Sequence, residues 1–87
     1  INAARGGIVN EADLYTALKE NIIWAAGSDV FETEPISSNH PLLSLHNFLG
    51  LPHIGSATIE TRQAMMQCNV DSLIAAAKGE PIPYRVV

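Results

Sequence analysis

The pattern of hydrophobic and polar positions predicts an alternation of helices and strands along the chain. Residues 10–20 carry apolar side chains at helical spacing, and Asn10 can cap this helix. Residues 22–30 (IIWAAGSDV) form a near-continuous apolar run, which is typical of a strand covered on both faces in a parallel sheet. The run FLGL at 48–51 predicts a second, shorter strand, because Pro52 cannot continue it.

The end of the chain predicts its longest helix. Apolar positions recur at helical spacing over residues 59–78, Thr58 can cap the first turn, and Gly79 is a typical helix end. Between the two strands, residues 34–41 are rich in Ser, Asn and Pro and predict a loop, and residues 42–45 predict one helical turn.

The order of these elements predicts an α/β fold with a parallel sheet. Ile1 is interpreted as the last residue of a strand whose start is missing, followed by helix, strand, loop, strand and helix. The chain does not begin with methionine, so we expect it to be a fragment and expect strand edges and helix faces without partners. Expressed alone, the fragment is predicted to fold poorly and to be inactive.

Composition excludes several classes of function. The 87 residues are 47% hydrophobic and carry a net charge of -4, so there is no basic surface for nucleic acid and no polybasic membrane anchor. No apolar run approaches the roughly 20 residues that span a bilayer. Cys68 is the only cysteine, so an internal disulfide is impossible, and a reducing, cytoplasmic location is expected.

Four polar residues of different chemistry follow the predicted strands. Arg5 comes after the strand that ends at Ile1, while Asp29, Glu34 and His53 come after the two other strands. Because ligands of parallel sheets bind beyond the carboxyl ends of the strands, we expect these side chains to converge on one edge. A guanidinium, a carboxylate and an imidazole can together bind an acid and move a proton.

Each of these residues also has a simple structural interpretation. Alone, Arg5 is a surface charge, Glu34 a turn residue before proline, and His53 a hydrogen-bonded loop residue. Asp29 can equally cap the loop that follows its strand. The other histidines, His40 and His46, have no carboxylate or thiol at ligand spacing, so no metal site is predicted.

The chain contains, in this order, the segments NAARGGIVNEADLYTALKENIIWAAGSDVFETEP and LPHIGSAT. Together they closely resemble the C-terminal part of the D-2-hydroxyacid dehydrogenase family. The additional segments NHPLL, ETR and GEPIP look most like the glyoxylate reductase/hydroxypyruvate reductase branch. The resemblance covers practically the whole chain. It implies the C-terminal part of a Rossmann-type parallel-sheet nucleotide-binding domain, followed by a crossing C-terminal helix.

The resemblance implies a catalytic role for three residues. Arg5 matches the family's substrate-binding arginine, whose planar fork suits the carboxylate of a 2-oxo acid. His53 matches the acid/base that protonates the alkoxide formed by hydride transfer. Glu34 matches the carboxylate that pairs with this histidine, favours its protonated form and fixes the orientation of its ring.

The resemblance also implies contacts with NADP or NAD, with NADPH favoured by the branch. Asp29 matches the aspartate that contacts the nicotinamide carboxamide. The other expected cofactor contacts come from the loops around it: Ala3, Ala4, Arg5, His53 and Gly55. The glycine fingerprint of dinucleotide-binding domains is absent from these residues, as is the position that selects between the two cofactors.

The expected domain organisation has two parts. Residues 1–55 are the C-terminal part of the NAD(P)-binding domain, and residues 56–87 are a long helix and tail that return towards an absent substrate domain. The expected partner is a small 2-oxo or 2-hydroxy acid. No nucleic acid or membrane partner is expected, and the full-length protein is expected to be a homodimer, by resemblance.

Two alternatives to a glyoxylate or hydroxypyruvate reductase stay open. One is a dehydrogenase of the same family that acts on another acid, of the phosphoglycerate or D-lactate type. The other is a non-catalytic NADH-sensing protein similar to the transcriptional corepressors that share this fold. Those corepressors keep the same arginine, glutamate and histidine, so these three residues alone do not separate the two classes.

Overall fold

The computed structural model describes residues 1–87 and divides them into two compact units, Ile1–Gly55 and Ser56–Val87. The first unit contains α1 (Glu11–Lys19), β1 (Ala26–Ser28), a short 3₁₀ helix (Pro41–Ser44) and β2 (Phe48–Gly50). The second contains α2 (Ile59–Lys78). No helix is both long enough and apolar enough to cross a membrane.

Local side-chain chemistry sets the limits of α1. The Asn10 side chain accepts a hydrogen bond from the Asp13 amide, which satisfies one of the amides that have no partner within the helix. At the other end, Asn21 follows the helix in the left-handed conformation, with a φ of 55°. The amides of Ile22 and Ile23 then bond back to the Ala17 carbonyl, so both residues still belong to the end of the helix.

This explains why the first strand is shorter than predicted. The sequence predicted a strand over residues 22–30, but only Ala26–Ser28 form one. Residues 22 and 23 wrap around the end of α1, and the Trp24 carbonyl accepts a hydrogen bond from the Asn47 side chain. Trp24, which lies in the run predicted to be covered on both faces, is 93% exposed. The apolar run therefore combines a helix end, an exposed connection and a short strand.

Three chain segments run parallel to one another in the first unit. β1 pairs in parallel with β2, with Ala26 opposite Phe48 and Ser28 opposite Gly50. On the other side of β1, Asn2 forms a parallel bridge with Ser28. All three segments therefore leave the sheet at the same edge, and the loops that begin with residues 3, 29 and 51 start side by side. This is the convergence that the sequence predicted.

The core of the first unit lies between α1, the 3₁₀ helix and the sheet. Leu18 and Leu42 are both 1% exposed, and Val30 and Phe31 are also buried. Phe31 also contacts the Phe48 ring edge-on, with ring centroids 6.3 Å apart. Because Phe31 immediately precedes the loop that carries Glu34, burial of this ring anchors the start of that loop.

The second unit is a single capped helix with a short tail packed against it. The Thr58 side chain accepts a hydrogen bond from the Thr61 amide, and Gly79 ends α2 in the left-handed conformation, both as predicted. The Ser72 hydroxyl donates to the Pro83 carbonyl and holds the tail against the helix. The expected return of this unit towards a substrate domain stays a prediction.

Candidate active site

His53 lies in the loop after β2 in a backbone conformation that is rare for a residue with a side chain. Its φ is 55°, in the left-handed region. The two following amides, of Ile54 and Gly55, donate to the two oxygens of the Asp29 carboxylate at 2.8 and 2.7 Å. Asp29 therefore fixes the backbone directly after His53, since its carboxylate holds both amides at once.

Burial and hydrogen bonding act together on Asp29. Its carboxylate is buried at the end of β1, which by itself disfavours the charged form. The hydrogen bond from the Ile54 amide is the largest influence and, with the bond from Gly55, keeps the pKa of Asp29 below its ordinary value of 3.8. Asp29 is therefore ionised at neutral pH and acts as an acceptor at the edge of the sheet.

Glu34 is held by two donors, one for each carboxylate oxygen. The Phe31 amide donates to Oε1 at 2.9 Å, and Nδ1 of His53 lies 2.7 Å from Oε2. The hydrogen bond with His53, followed by that from Phe31, keeps the pKa of Glu34 below its ordinary value of 4.5. Glu34 is therefore a carboxylate with a fixed orientation, paired with a histidine nineteen positions later in the chain.

The ionisation of Glu34 determines which nitrogen of His53 carries a proton. A carboxylate only accepts hydrogen bonds, so Nδ1 of His53 must be the donor in this pair. Nε2 is then the nitrogen left to exchange a proton with another molecule. The His53 side chain is 44% exposed, so its ring is accessible. The pair can orient an imidazole whose outer nitrogen gives or takes a proton.

Arg5 contributes positive charge to the same edge without contacting the pair directly. Its guanidinium donates to the neighbouring Ala4 carbonyl at 2.7 Å, and the residue is exposed. Its charge is the smallest of the influences that lower the pKa of Glu34. Arg5 therefore presents an accessible cation at this edge, without a direct contact to the Glu34–His53 pair.

Two open cavities border this edge of the first unit. One, of about 590 Å³, is mainly apolar and includes Ala3, Asp29 and Gly55 in its lining. The other, of about 530 Å³, is lined by Asp29, Glu34 and His53 with neighbouring apolar side chains. Asp29 is common to both. Of the residues expected to contact the cofactor, Ala3 and Gly55 line the first cavity, whereas Ala4 and Arg5 line neither. That these residues bind a cofactor stays a prediction.

A close backbone contact underlies the site. A Cβ at Gly6 would collide with the carbonyl group of Phe31 and lie 2.8 Å from the Glu32 amide nitrogen. Only glycine allows this approach, which brings the A-R-G-G segment against the start of the Glu34 loop. The local sequence does not show that residues 31 and 32 are the opposing segment.

Sequence reasoning missed a second histidine–carboxylate pair. His40 was described as having no carboxylate at ligand spacing, but its Nε2 lies 3.0 Å from Oε2 of Glu11. The two residues are twenty-nine positions apart, so the local spacing of the motifs could not reveal the pair. His46, by contrast, is exposed.

A family model matches the first unit. Residues 1–55 match the D-isomer specific 2-hydroxyacid dehydrogenase, NAD binding domain. Among curated proteins, the chain is 58% identical over 79 residues to glyoxylate/hydroxypyruvate reductase B of Serratia proteamaculans. It is 55% identical over 80 residues to the protein of the same name from Salmonella newport. These matches cover 91% and 92% of the chain but only 24% and 25% of the relatives.

Solved structures give the same result for the fold. The TT0316 protein from Thermus thermophilus superposes with a TM-score of 0.88 at 41% identity, over 99% of this chain and 27% of that one. The NADPH-dependent glyoxylate/hydroxypyruvate reductase of Sinorhizobium meliloti, solved with NADP and malonate, gives a TM-score of 0.77 at 49% identity. That match covers 85% of this chain and 23% of the reductase.

These matches confirm the resemblance of the motifs to the D-2-hydroxyacid dehydrogenase family and to its glyoxylate reductase/hydroxypyruvate reductase branch. They also confirm the predicted Rossmann-type α/β architecture. The chain spans about a quarter of the length of the curated relatives it matches. It belongs to the D-isomer specific 2-hydroxyacid dehydrogenase family, and residues 1–55 match the family's NAD-binding domain.

Proposed function

We propose that the protein containing this chain is an NAD(P)H-dependent reductase that converts a small 2-oxo acid to the 2-hydroxy acid. The observation that carries the proposal is the 2.7 Å pair between His53 and an ionised Glu34, with the charge of Arg5 nearby. A proton donor with a fixed tautomer beside a cation is what reduction of an oxo acid requires of the protein.

Arg5 binds the carboxylate of the substrate in this proposal. A guanidinium can donate two parallel hydrogen bonds to a carboxylate, and lysine cannot reproduce that fork. The exposed position of Arg5 leaves donors free after its bond to the Ala4 carbonyl. Binding at this point would hold the oxo group of the acid near the Glu34–His53 pair.

His53 supplies the proton. Reduction of the carbonyl carbon leaves negative charge on its oxygen, and Nε2 of a protonated His53 can donate to that oxygen as the charge develops. Glu34 accepts from Nδ1 throughout, so it orients the ring and stabilises the positive charge before the proton leaves. In the reverse direction, the neutral ring takes the proton from the hydroxyl group.

The first cavity fits a nicotinamide ring. Its volume of about 590 Å³ lies within the usual range for ligand pockets, and small residues such as Ala3, Gly27 and Gly55 leave room for a flat ring. The Asp29 oxygens each accept one amide and each keep a free lone pair for a carboxamide donor. When bound, the reduced nicotinamide supplies the hydride.

The relatives support a choice of substrate and cofactor. Those named above include reductases of glyoxylate and hydroxypyruvate, and one is described as NADPH-dependent. We therefore assign glyoxylate and hydroxypyruvate as substrates and NADPH as the favoured donor. Residues 1–55 complete the nucleotide-binding domain, residues 56–87 return towards the substrate domain, and the full-length protein is a homodimer.

The test uses the full-length protein and follows the loss of reduced-nicotinamide absorbance. NADPH and NADH are each tested with glyoxylate, hydroxypyruvate, pyruvate and phosphohydroxypyruvate. We expect His53→Ala to lower kcat by about 10²- to 10⁴-fold, the usual contribution of general acid–base catalysis. Arg5→Ala should mainly raise KM for the oxo acid. His46→Ala is the matched control, because this histidine is exposed, and should behave as wild type.

Three outcomes contradict parts of the proposal. Unchanged turnover by His53→Ala would remove the histidine from the chemistry. Preference for pyruvate or phosphohydroxypyruvate would move the protein to the D-lactate or phosphoglycerate type. Negligible turnover of every acid, together with NADH-dependent peptide binding, would favour the corepressor-like alternative.

A further inference from the structure

The dipeptide Phe31–Glu32 links two histidine–carboxylate pairs. The Phe31 amide donates to Glu34, the partner of His53, at 2.9 Å. The next amide, of Glu32, donates to Oε1 of Glu11 at 2.7 Å. Consecutive peptide groups are therefore held by two different carboxylates, one at the proposed active site and one at the start of α1.

Both oxygens of the Glu11 carboxylate are used. Oε1 accepts from the Glu32 amide, and Oε2 lies 3.0 Å from Nε2 of His40. The Glu11 amide in turn lies 3.4 Å from a carboxylate oxygen of Glu32, a longer reciprocal contact. The side chains of Glu11 and His40 are 17% and 23% exposed, so this pair is partly shielded from water.

Two hydrogen bonds and one aromatic contact hold the His40 ring in place. Its Nδ1 accepts from the Leu42 amide at 3.3 Å, so the proton of a neutral ring lies on Nε2 and is donated to Glu11. The His40 ring also meets the Phe31 ring edge-on, with centroids 6.1 Å apart. His40 thus connects the end of the loop that carries Glu34 both to α1 and to the residue at the start of that loop.

We propose that Glu11 and His40 form a clasp that positions the Glu34 carboxylate for its contact with His53. The clasp is defined as Glu11, His40 and the Glu32 amide. The inference rests on the proposed function, because it makes Glu11 and His40 positioning residues for that proton transfer. Neither lines the cavity that contains Glu34 and His53, so they act through the loop between residues 31 and 40.

The physical reason is that the loop has few other attachments between its ends. Residues 32–35 are exposed, and Glu34 is held only through the Phe31 amide and His53 itself. If the clasp is removed, the Glu32 amide loses its acceptor, and the peptide between Phe31 and Glu32 is then held on this side only by its packing against Gly6. We expect the loop beyond this peptide to shift, so that the Phe31 amide aligns less well with Glu34 and the carboxylate holds Nδ1 of His53 less firmly in one orientation.

The experiment compares Glu11→Ala, His40→Ala and the double variant in the full-length protein. We expect each single variant to lower kcat by about 10-fold, the lower end of the effect of partners one step removed from a functional ligand. KM for NADPH should not change. The double variant should be no worse than either single variant, because both break the same clasp. His40→Gln should recover part of kcat, since its amide can still donate to Glu11.

Asp13→Ala is the matched control. Asp13 is an exposed acid in the first turn of the same helix, and its side chain takes no part in the clasp, so kcat should be that of wild type. A second readout does not depend on turnover. The Glu34 carboxyl carbon is assigned by comparison with Glu34→Gln and titrated by NMR. In Glu11→Ala the pKa of Glu34 should rise towards 4.5, because its hydrogen bonds weaken.

Two results overturn the clasp. One is wild-type kcat and an unchanged Glu34 titration in folded Glu11→Ala and His40→Ala. The other is a loss of activity in proportion to the loss of folded protein, while the pKa of Glu34 in the folded molecules is the same as in wild type. If the wild-type protein reduces no oxo acid, the proposed function fails instead, and the Glu34 titration still decides whether the clasp exists.

Discussion

Replacing Gly6 by alanine tests whether the A-R-G-G segment supports the Glu34 carboxylate of the proposed active site. The new Cβ would collide with the Phe31 carbonyl group and lie 2.8 Å from the Glu32 nitrogen. Both are backbone atoms, so no side-chain rotation can relieve the contact. The segment that holds Glu34 must move as a whole, away from the residue at position 6.

The size of that movement follows from ordinary contact distances. Carbon atoms in van der Waals contact lie at about 3.5–4.0 Å. The Phe31–Glu32 backbone must therefore shift by roughly 1 Å. A displacement of about 1 Å in catalytic geometry can cost about 10²-fold in rate, which is the loss of kcat expected for Gly6→Ala in the full-length protein. Overpacking of this kind also destabilises proteins by about 1–3 kcal/mol.

The neighbouring glycine provides the control. Gly7 has a φ of 80°, but a Cβ there would meet no atom within 4 Å. Gly7→Ala should therefore cost about 1–2 kcal/mol of backbone strain and leave kcat nearly unchanged. Both variants are measured by steady-state reduction of glyoxylate and by urea unfolding. Equal losses of kcat in the two variants, or wild-type kcat in Gly6→Ala, would refute the argument from contact with Phe31.

Two further predictions concern stability. Leu18→Ala removes a side chain that is 1% exposed, so urea unfolding of the full-length protein should show a destabilisation of about 2–5 kcal/mol. KM for the oxo acid should stay unchanged. A destabilisation below about 1 kcal/mol would argue against a packed core around Leu18. The pKa of Glu34 is lower in the folded protein than its ordinary value of 4.5. The hydrogen bonds of the ionised carboxylate therefore stabilise the folded state fully above pH 4.5, and this stabilisation is lost as the pH falls through the folded-state pKa. The stability advantage of wild type over Glu34→Gln should therefore be constant near neutral pH and shrink below about pH 4.5, and an advantage that stays constant down to about pH 2 would contradict the hydrogen-bonded carboxylate.

The sequence predicted the features that depend on local chemistry. Thr58 and Gly79 limit α2 because a hydroxyl acceptor and a left-handed glycine act within a few residues of their own position. The convergence of Asp29 and His53 was also predictable, since parallel strands end at a common edge whatever lies between them in sequence. In both cases one rule sufficed, and no long-range packing information was needed.

The errors arise where tertiary packing decides. The apolar run at residues 22–30 was interpreted as one strand, but hydropathy does not distinguish a strand from a chain that wraps around a helix end. Trp24 is exposed because neither α1 nor the sheet covers that connection. The pair of Glu11 and His40 depends on the fold of the chain between two residues that are twenty-nine positions apart, and neither residue type reveals its partner.

The two histidine–carboxylate pairs show why similar chemistry serves different purposes in one small unit. Both nitrogens of His40 are engaged, one with Glu11 and the other with the Leu42 amide, so it cannot transfer a proton without losing a bond. His53 uses only Nδ1, and its side chain is about twice as exposed, at 44% against 23%. A histidine with one fixed and one free nitrogen is suited to proton transfer, whereas one with both nitrogens bound is suited to support. The number of free nitrogens, rather than the presence of a carboxylate partner, is therefore the observation that favours His53 over His40 for the proposed role of acid/base.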